Sequence, residues 1–270
     1  MDVEILLDKA WDAGITAFDT APVYGDAEQR LGAWIKRRGV TPSISTKLPA
    51  LAGVADSDVA EAVDQAIEGS TSRLGVPPAT YLAHDTADYL RPTIRSRLCK
   101  AAARGAIGAV GLSVYTAEEV FAAIAAAPPA AIQLPLSAFD QRMIASGALA
   151  ACAAAGVAIF ARSIFLQGAM LMEVAKLPDR LAGLGKVLAD FETLCTAARS
   201  TRASFALRYV RDLPGIASTI VGAYTADQLA ALIAIAEQPP LTQTQRAAID
   251  AIAKGLPEKL LDPRNWTQQQ

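Results

Sequence analysis

Four residues carry chemistry that a hydrophobic core has no use for: Asp19, Tyr24, Lys47 and His84. Asp19 closes a short apolar run, and the turn-rich loop Thr20-Ala21-Pro22-Val23-Tyr24-Gly25 behind it is short enough to aim a phenol back over the strand end. Lys47 closes Ser45-Thr46-Lys47, and His84 closes Tyr81-Leu82-Ala83-His84. A phenol, with an ordinary pKa of about 10, is a poor proton donor near neutrality. A cation beside it stabilises the phenolate and makes the proton easier to release. Lys47 supplies such a cation, and Asp19 can hold that lysine charged where desolvation would strip its proton. His84, as a neutral donor, could orient a carbonyl oxygen beside Tyr24. Taken singly, each has a structural explanation: Asp19 as a helix N-cap or surface acid, Tyr24 as a buried ring with a wet tip, Lys47 as a solvated charge, His84 as a hydrogen-bonded core residue. Four titratable groups at the ends of three successive strands are harder to explain that way.

The elements that must position them follow from periodicity. Short apolar or β-branched runs alternate with stretches whose apolar residues recur every three to four positions. Strands are expected at Thr16–Asp19, Ser43–Lys47, Thr80–His84, Ala109–Ser113, Ala131–Leu134, Ala158–Arg162 and Thr219–Gly222. Helices are expected at about Val3–Ala13, Ala27–Arg38, Asp58–Leu74, Pro92–Arg104, Ala117–Ala126, Ile144–Ala155, Ala203–Asp212 and Ala226–Ala236, with extra ones near Leu184–Ala198 and Gln243–Ala253. In the third of these, Val59, Val63, Ala66, Ile67 and Leu74 share one stripe that must pack on a sheet. Gly14, Gly39, Gly75, Gly105 and Gly156 each follow a helix, where a left-handed residue ends the turn. Strand–helix alternation allows a closed (β/α)8 barrel or an open doubly wound sheet. Polar residues at the ends of strands all along the chain favour the barrel, and no GxGxxG motif marks an open dinucleotide-binding sheet.

Composition limits the function. The chain has 25 Lys+Arg against 27 Asp+Glu, a net charge of −2, with 52% hydrophobic residues. No basic block is present to neutralise phosphates, so a nucleic-acid partner is not expected. The longest uncharged stretches are broken by Pro128, Pro129 and Pro135 or are too short to span a bilayer, so no membrane segment is expected. Three widely spaced cysteines and a single histidine suggest neither a disulfide framework nor a metal site, and a reducing cytoplasm is the default location. No linker divides the chain, so one domain is expected over residues 1–270, with 255–270 as a tail whose large apolar anchor is Trp266.

The ordered set Phe18-Asp19-Thr20-Ala21…Tyr24-Gly25…Glu28-Gln29-Arg30-Leu31-Gly32, Lys47 and His84 resembles the aldo-keto reductase family, whose Asp–Tyr–Lys–His tetrad it reproduces as Asp19, Tyr24, Lys47 and His84. Gly111-Leu112-Ser113 looks like that family's fifth-strand motif, Gln133 in Ile132-Gln133-Leu134-Pro135 like its sixth-strand glutamine, and Ile220-Val221-Gly222-Ala223…Gln228-Leu229 like its eighth-strand cofactor segment. The resemblance covers roughly residues 3–236. It implies a (β/α)8 TIM barrel that binds NADH or NADPH without a Rossmann fold and reduces a small aldehyde or ketone by hydride transfer. In that scheme Tyr24 is the general acid, Lys47 assists it, Asp19 pairs with Lys47 and His84 positions the carbonyl. Ser113 and Gln133 would bind the nicotinamide carboxamide, and Gly222 and Gln228 would belong to the phosphate and adenosine end. Thr225…Gln228 also reads as a helix capping box. Ile164–Gly183, long for a connection, is either a loop folded across a pyrophosphate or a surface excursion.

Several positions depart from the family pattern. Val114 follows Ser113 where an amide is frequent. Arg162 stands where many relatives place a ring that stacks on nicotinamide, and it could stack as a planar cation or contact a phosphate. Gly222 and Tyr224 stand where a Lys or Arg often meets the adenosine 2′-phosphate, which leaves NADH or NADPH open. The sequence enters in the helix that follows the family's first, glycine-rich strand, so seven strands are visible and the first is expected to be missing. Three arrangements fit: a longer natural product, an open barrel, or an edge covered by another segment or by a second copy in a homo-oligomer. Competing functions are a reductase-like binding or accessory protein that turns over poorly, and a Schiff-base aldolase built on Lys47.

Overall fold

The apolar and β-branched runs form seven parallel strands, in a computed structural model that describes residues 3–266. They are β1 (Ala17–Asp19), β2 (Ser43–Leu48), β3 (Thr80–Ala83), β4 (Ala109–Ser113), β5 (Ala131–Pro135), β6 (Ala158–Arg162) and β7 (Ile216–Thr219), paired in chain order. Parallel neighbours need crossover helices. These are α1 (Val3–Asp12), α2 (Ala27–Arg38), α3 (Val59–Leu74), α4 (Thr86–Leu90), α5 (Pro92–Ala103), α6 (Ala117–Ala126), α7 (Arg142–Ala145), α8 (Ala148–Ala154), α9 (Gly185–Ala197), α10 (Arg202–Arg211), α11 (Ala226–Ala236), α12 (Gln243–Ala253) and α13 (Glu258–Leu261). The expected ends of the domain, residues 1–2 and 267–270, lie outside the described residues.

The sheet is a curled TIM-type barrel wall of seven strands. Among the described residues β1 pairs only with β2, and β7 only with β6. The ends of the wall are brought together on the outside, where α1 packs against α11. Every side chain of β3 and β5 is buried, as expected of strands covered on both faces. Gly111 sits where a Cβ would press on the Leu82 side chain and lie 2.9 Å from the Ala131 carbonyl, so β4 closes on its neighbours only with glycine there. A smaller cluster of Leu31, Trp34, Ile35, Ile44 and Leu74 seats α2 on the first strands. Trp34 meets Phe18 and Trp11 edge-on at 5.5 and 5.9 Å, and its indole N–H donates to Asp8 at 2.9 Å.

Three expectations are corrected. The last strand is Ile216–Thr219, not Thr219–Gly222. Gly215, at φ 84°, turns the chain straight into the strand, and the ladder ends where the Ile220 N–H meets the Ala161 carbonyl at 2.7 Å. Among the described residues, no backbone hydrogen bond joins Val221 or Gly222 to β6, and the chain leaves the sheet there. The helix expected over Ile144–Ala155 is two short helices, α7 and α8, because Gly147 adopts φ 81° between them. In the tail, Leu260 and Leu261 are the buried anchors, while Trp266 ends a 3-10 turn, partly buried. Helix α4, which has no apolar period, is started by Asp85, whose carboxylate accepts from the Ala87 N–H at 2.7 Å. No helix among the described residues is long and apolar enough to cross a membrane.

Candidate active site

The carboxyl ends of the strands open onto one cavity of about 650 Å³. Asp19 ends β1, Lys47 lies in β2, His84 follows β3, Ser113 ends β4, Gln133 lies in β5 and Arg162 ends β6, and all line the cavity together with Tyr24. Gly222 and Gln228 line it from the segment beyond β7. All nine residues singled out in the sequence therefore border the same space.

Lys47 is the centre of the constellation. Its ammonium is 2% exposed, donates to Asp19 Oδ2 at 2.8 Å and to the Thr20 carbonyl at 2.9 Å, and stands 5.2 Å from the centre of the Tyr24 ring. Burial of that charge is tolerated because a carboxylate and a carbonyl replace its water. Asp19 is fixed from two sides, since its Oδ1 accepts from the Gln133 side-chain amide at 2.7 Å. One N–H of the Gln133 amide is thus given to Asp19, and its carbonyl oxygen is left to accept from a ligand. Tyr24 is half exposed, as a group that must meet an incoming molecule should be. Burial, then the charges of Lys47 and Arg162, hold the His84 imidazole below its ordinary pKa, so the ring is neutral at neutral pH.

Behind the site, Glu28 is buried, accepts from Thr46 at 2.6 Å and pairs with Arg73 at 2.6 Å. This ties α2 and α3 to β2 just beside Lys47. Ser70, which breaks the apolar stripe of α3, is buried on the same side. Gln228 accepts from the Tyr224 N–H at 2.8 Å while Thr225 accepts from the Gln228 N–H at 3.1 Å. The capping residues do cap α11, with the reciprocal bond landing one residue earlier than in a standard capping box. The segment 164–183 is neither bare nor extended. It forms 3-10 turns pinned by Arg202, whose guanidinium donates to the carbonyls of Met170 and Met172 at 3.0 and 2.7 Å. Phe165, Gln167, Gly168 and Leu171 of this strap line the cavity.

One participant escaped the sequence reading. Tyr115, two residues beyond Ser113, lines the cavity and lies under the guanidinium of Arg162 at 4.2 Å and that of Arg264 at 4.0 Å. Its position just past a strand end was the available signal, but nothing local announces its two partners.

A family model for the aldo/keto reductase family matches residues 2–254. The aldo-keto reductase str7 of Strobilurus tenacellus is 31% identical over 142 residues, half of this chain; the match spans 41% of that protein's length. Among solved structures, the aldo-keto reductase AKR11C1 from Bacillus halodurans, in its apo form, superposes with a TM-score of 0.78 at 22% identity, covering 96% of this chain and 89% of that one. The glycerol dehydrogenase AKR11B4 from Gluconobacter oxydans gives 0.77 at 23% identity, covering 93% and 84%. At such identities the likeness speaks for the fold.

Proposed function

Because the chain belongs to the aldo-keto reductase family, we propose that it is an oxidoreductase that interconverts an aldehyde or ketone and its alcohol, with Tyr24 as the proton donor in reduction. The observation that carries this is the single ammonium of Lys47, held by Asp19 at 2.8 Å while it stands against the Tyr24 ring. When the Tyr24 hydroxyl gives its proton to the developing alkoxide, the Lys47 charge stabilises the phenolate left behind. Asp19 keeps Lys47 protonated, and Gln133 keeps Asp19 in place. The neutral His84 ring donates to the carbonyl oxygen beside Tyr24 without competing for its proton.

A nicotinamide dinucleotide suits the same cavity. Among the described residues, the Ser113 hydroxyl, the Tyr24 hydroxyl and the His84 ring line it with no hydrogen-bond partner recorded within the chain, and the Gln133 carbonyl oxygen is also available. Ser113 and Gln133 would hold a carboxamide, and the backbone about Gly222 with the Gln228 side chain would hold the phosphate and adenosine end. Such a cofactor, when bound, supplies or accepts the hydride. Among the described residues, the cavity lining contributed by the segment beyond β7, which holds Gly222 and Gln228, includes no Lys or Arg, which favours NADH over NADPH.

The test is paired. Purified protein should change the fluorescence of NADH on binding, and Tyr24→Phe should lower kcat by at least about a hundredfold while leaving nucleotide binding intact. If neither NADH nor NADPH binds at millimolar concentration, the reductase proposal fails. Binding without turnover on a panel of aldehydes would support the accessory-protein alternative.

A further inference from the structure

Four groups lining the cavity carry or can take a charge near neutral pH: Asp19, Lys47, His84 and Arg162. Asp19 and Lys47 neutralise each other at 2.8 Å, and His84 is neutral. Arg162 is left, and among the described residues it makes no ion pair. Its Nη2 donates to the Val114 carbonyl at 2.9 Å, its Nη1 reaches the Ser163 hydroxyl at 3.4 Å, and one face rests on Tyr115. A guanidinium has five N–H donors, so two such bonds leave three for a ligand. The nearby Arg264 is not in the same state, because it grips Asp262, with Nη2 to Oδ2 at 2.6 Å.

Two further features say what enters. Burial is the leading influence on Arg162 and disfavours its charge, a cost that an entering anion relieves. The same guanidinium lines the cavity with Tyr24 and His84, and its charge helps hold the His84 imidazole below its ordinary pKa, so it stands close to the reacting end. Tyr115 and the Val114 carbonyl hold the planar fork in one orientation, which suits two-point recognition of an oxyanion.

We infer that Arg162 receives an oxyanion carried by the substrate itself, a carboxylate or a phosphate monoester on the same molecule as the carbonyl; this rests on the carbonyl-reduction reading of the cavity. A neutral carbonyl compound would enter and leave the guanidinium unpaired. Arg162 is then a specificity residue on the substrate side, rather than a stacking partner or phosphate ligand of the nucleotide.

Benzoate and phenyl phosphate, neither of them reducible, separate the possibilities when titrated calorimetrically into wild type and Arg162→Gln, with and without NADH, against neutral benzamide. Wild type should bind one of the two anions at least about tenfold more tightly than benzamide, and Arg162→Gln should remove that preference. The tighter anion identifies the group. The inference is overturned if wild type shows no preference, if the variant keeps it, or if the variant loses NADH affinity by the same factor as anion affinity. Turnover is scored separately on a carboxybenzaldehyde and its methyl ester. Where benzoate is the tighter anion, reduction of both with equal kcat/KM overturns the anion site and leaves the reductase standing. Where phenyl phosphate is tighter, the same comparison is made with a formylphenyl phosphate and its neutral phenol, and an intact anion preference with no reduction of any of these overturns the reductase and supports the anion site.

Discussion

A single imidazole in the chain makes the electrostatics of the site directly observable. His84 is held below its ordinary value of 6.5 by burial first, then by Lys47 and Arg162. The unfolded chain therefore binds this proton before the folded one does, and stability contributed by the neutral ring is lost as pH falls below 6.5 toward the folded value. The lone imidazole C–H resonance should titrate below 6.5, and Lys47→Met should move its midpoint upward; a midpoint at or above 6.5 in wild type would contradict the burial and charges described. The Asp19–Lys47 pair has a structural weight of its own. Asp19→Asn leaves a 2% exposed ammonium without its counter-charge and should cost about 3 kcal/mol in urea unfolding, well above a surface substitution.

At the scale of elements, the site is only as well placed as the helices behind β2. Helix α2 approaches α3 so closely that a Cβ on Gly32 would overlap the Arg73 carbonyl oxygen, with the Leu74 carbonyl 2.9 Å away. Backbone cannot yield as the end of a flexible side chain can. Gly32→Ala should therefore force α2 off α3, loosen the partly buried Glu28–Arg73 pair and cost about 2 kcal/mol or more by denaturant unfolding. A neutral result would mean that α2 can shift without strain. The ladder between β6 and β7 is irregular as well: the consecutive Ile159 and Phe160 face Ile216 and Ser218, so Ala217 is an extra residue that bulges β7. Beyond Thr219 the chain lines the cavity at Ile220, Val221 and Gly222.

For the whole molecule, seven strands in chain order produce one rim, and the rim gathers residues from the ends of β1 to β6 and from the segment beyond β7 into one cavity. A ligand spanning from Tyr24 to Gln228 must touch both ends of the open wall, and binding to the folded state alone raises its stability by mass action. NADH at a hundred times its Kd should add about 2.7 kcal/mol of unfolding free energy. NADPH should add less at equal concentration, because among the described residues the segment beyond β7 that lines the cavity, Ile220 to Ile235, contributes no Lys or Arg to it. Thermal unfolding with each nucleotide in turn decides this, and a larger shift with NADPH would refute the preference.

The residues at strand ends were legible because strand and helix periods are local: a short β-branched run, then a polar group, then a helix capped by glycine. That is why Asp19, Lys47, Ser113 and Gln133 could be placed from the chain alone, and why the aldo-keto reductase resemblance rests on their order. Tertiary structure decided which of them meet. Gln133 is 114 residues from Asp19, and the bond between them exists only because β5 and β1 are curled toward one mouth. Tyr115, Arg162 and Arg264 come from three distant segments and share one aromatic ring. The register of β7 against β6 includes a bulge at Ala217 that no local pattern marks, and the division of α7 from α8 rests on a glycine within an otherwise continuous apolar pattern. Local pattern reports what one segment prefers, whereas pairing, burial and the absence, among the described residues, of an ion pair at Arg162 are set by the closing of the sheet around a shared space.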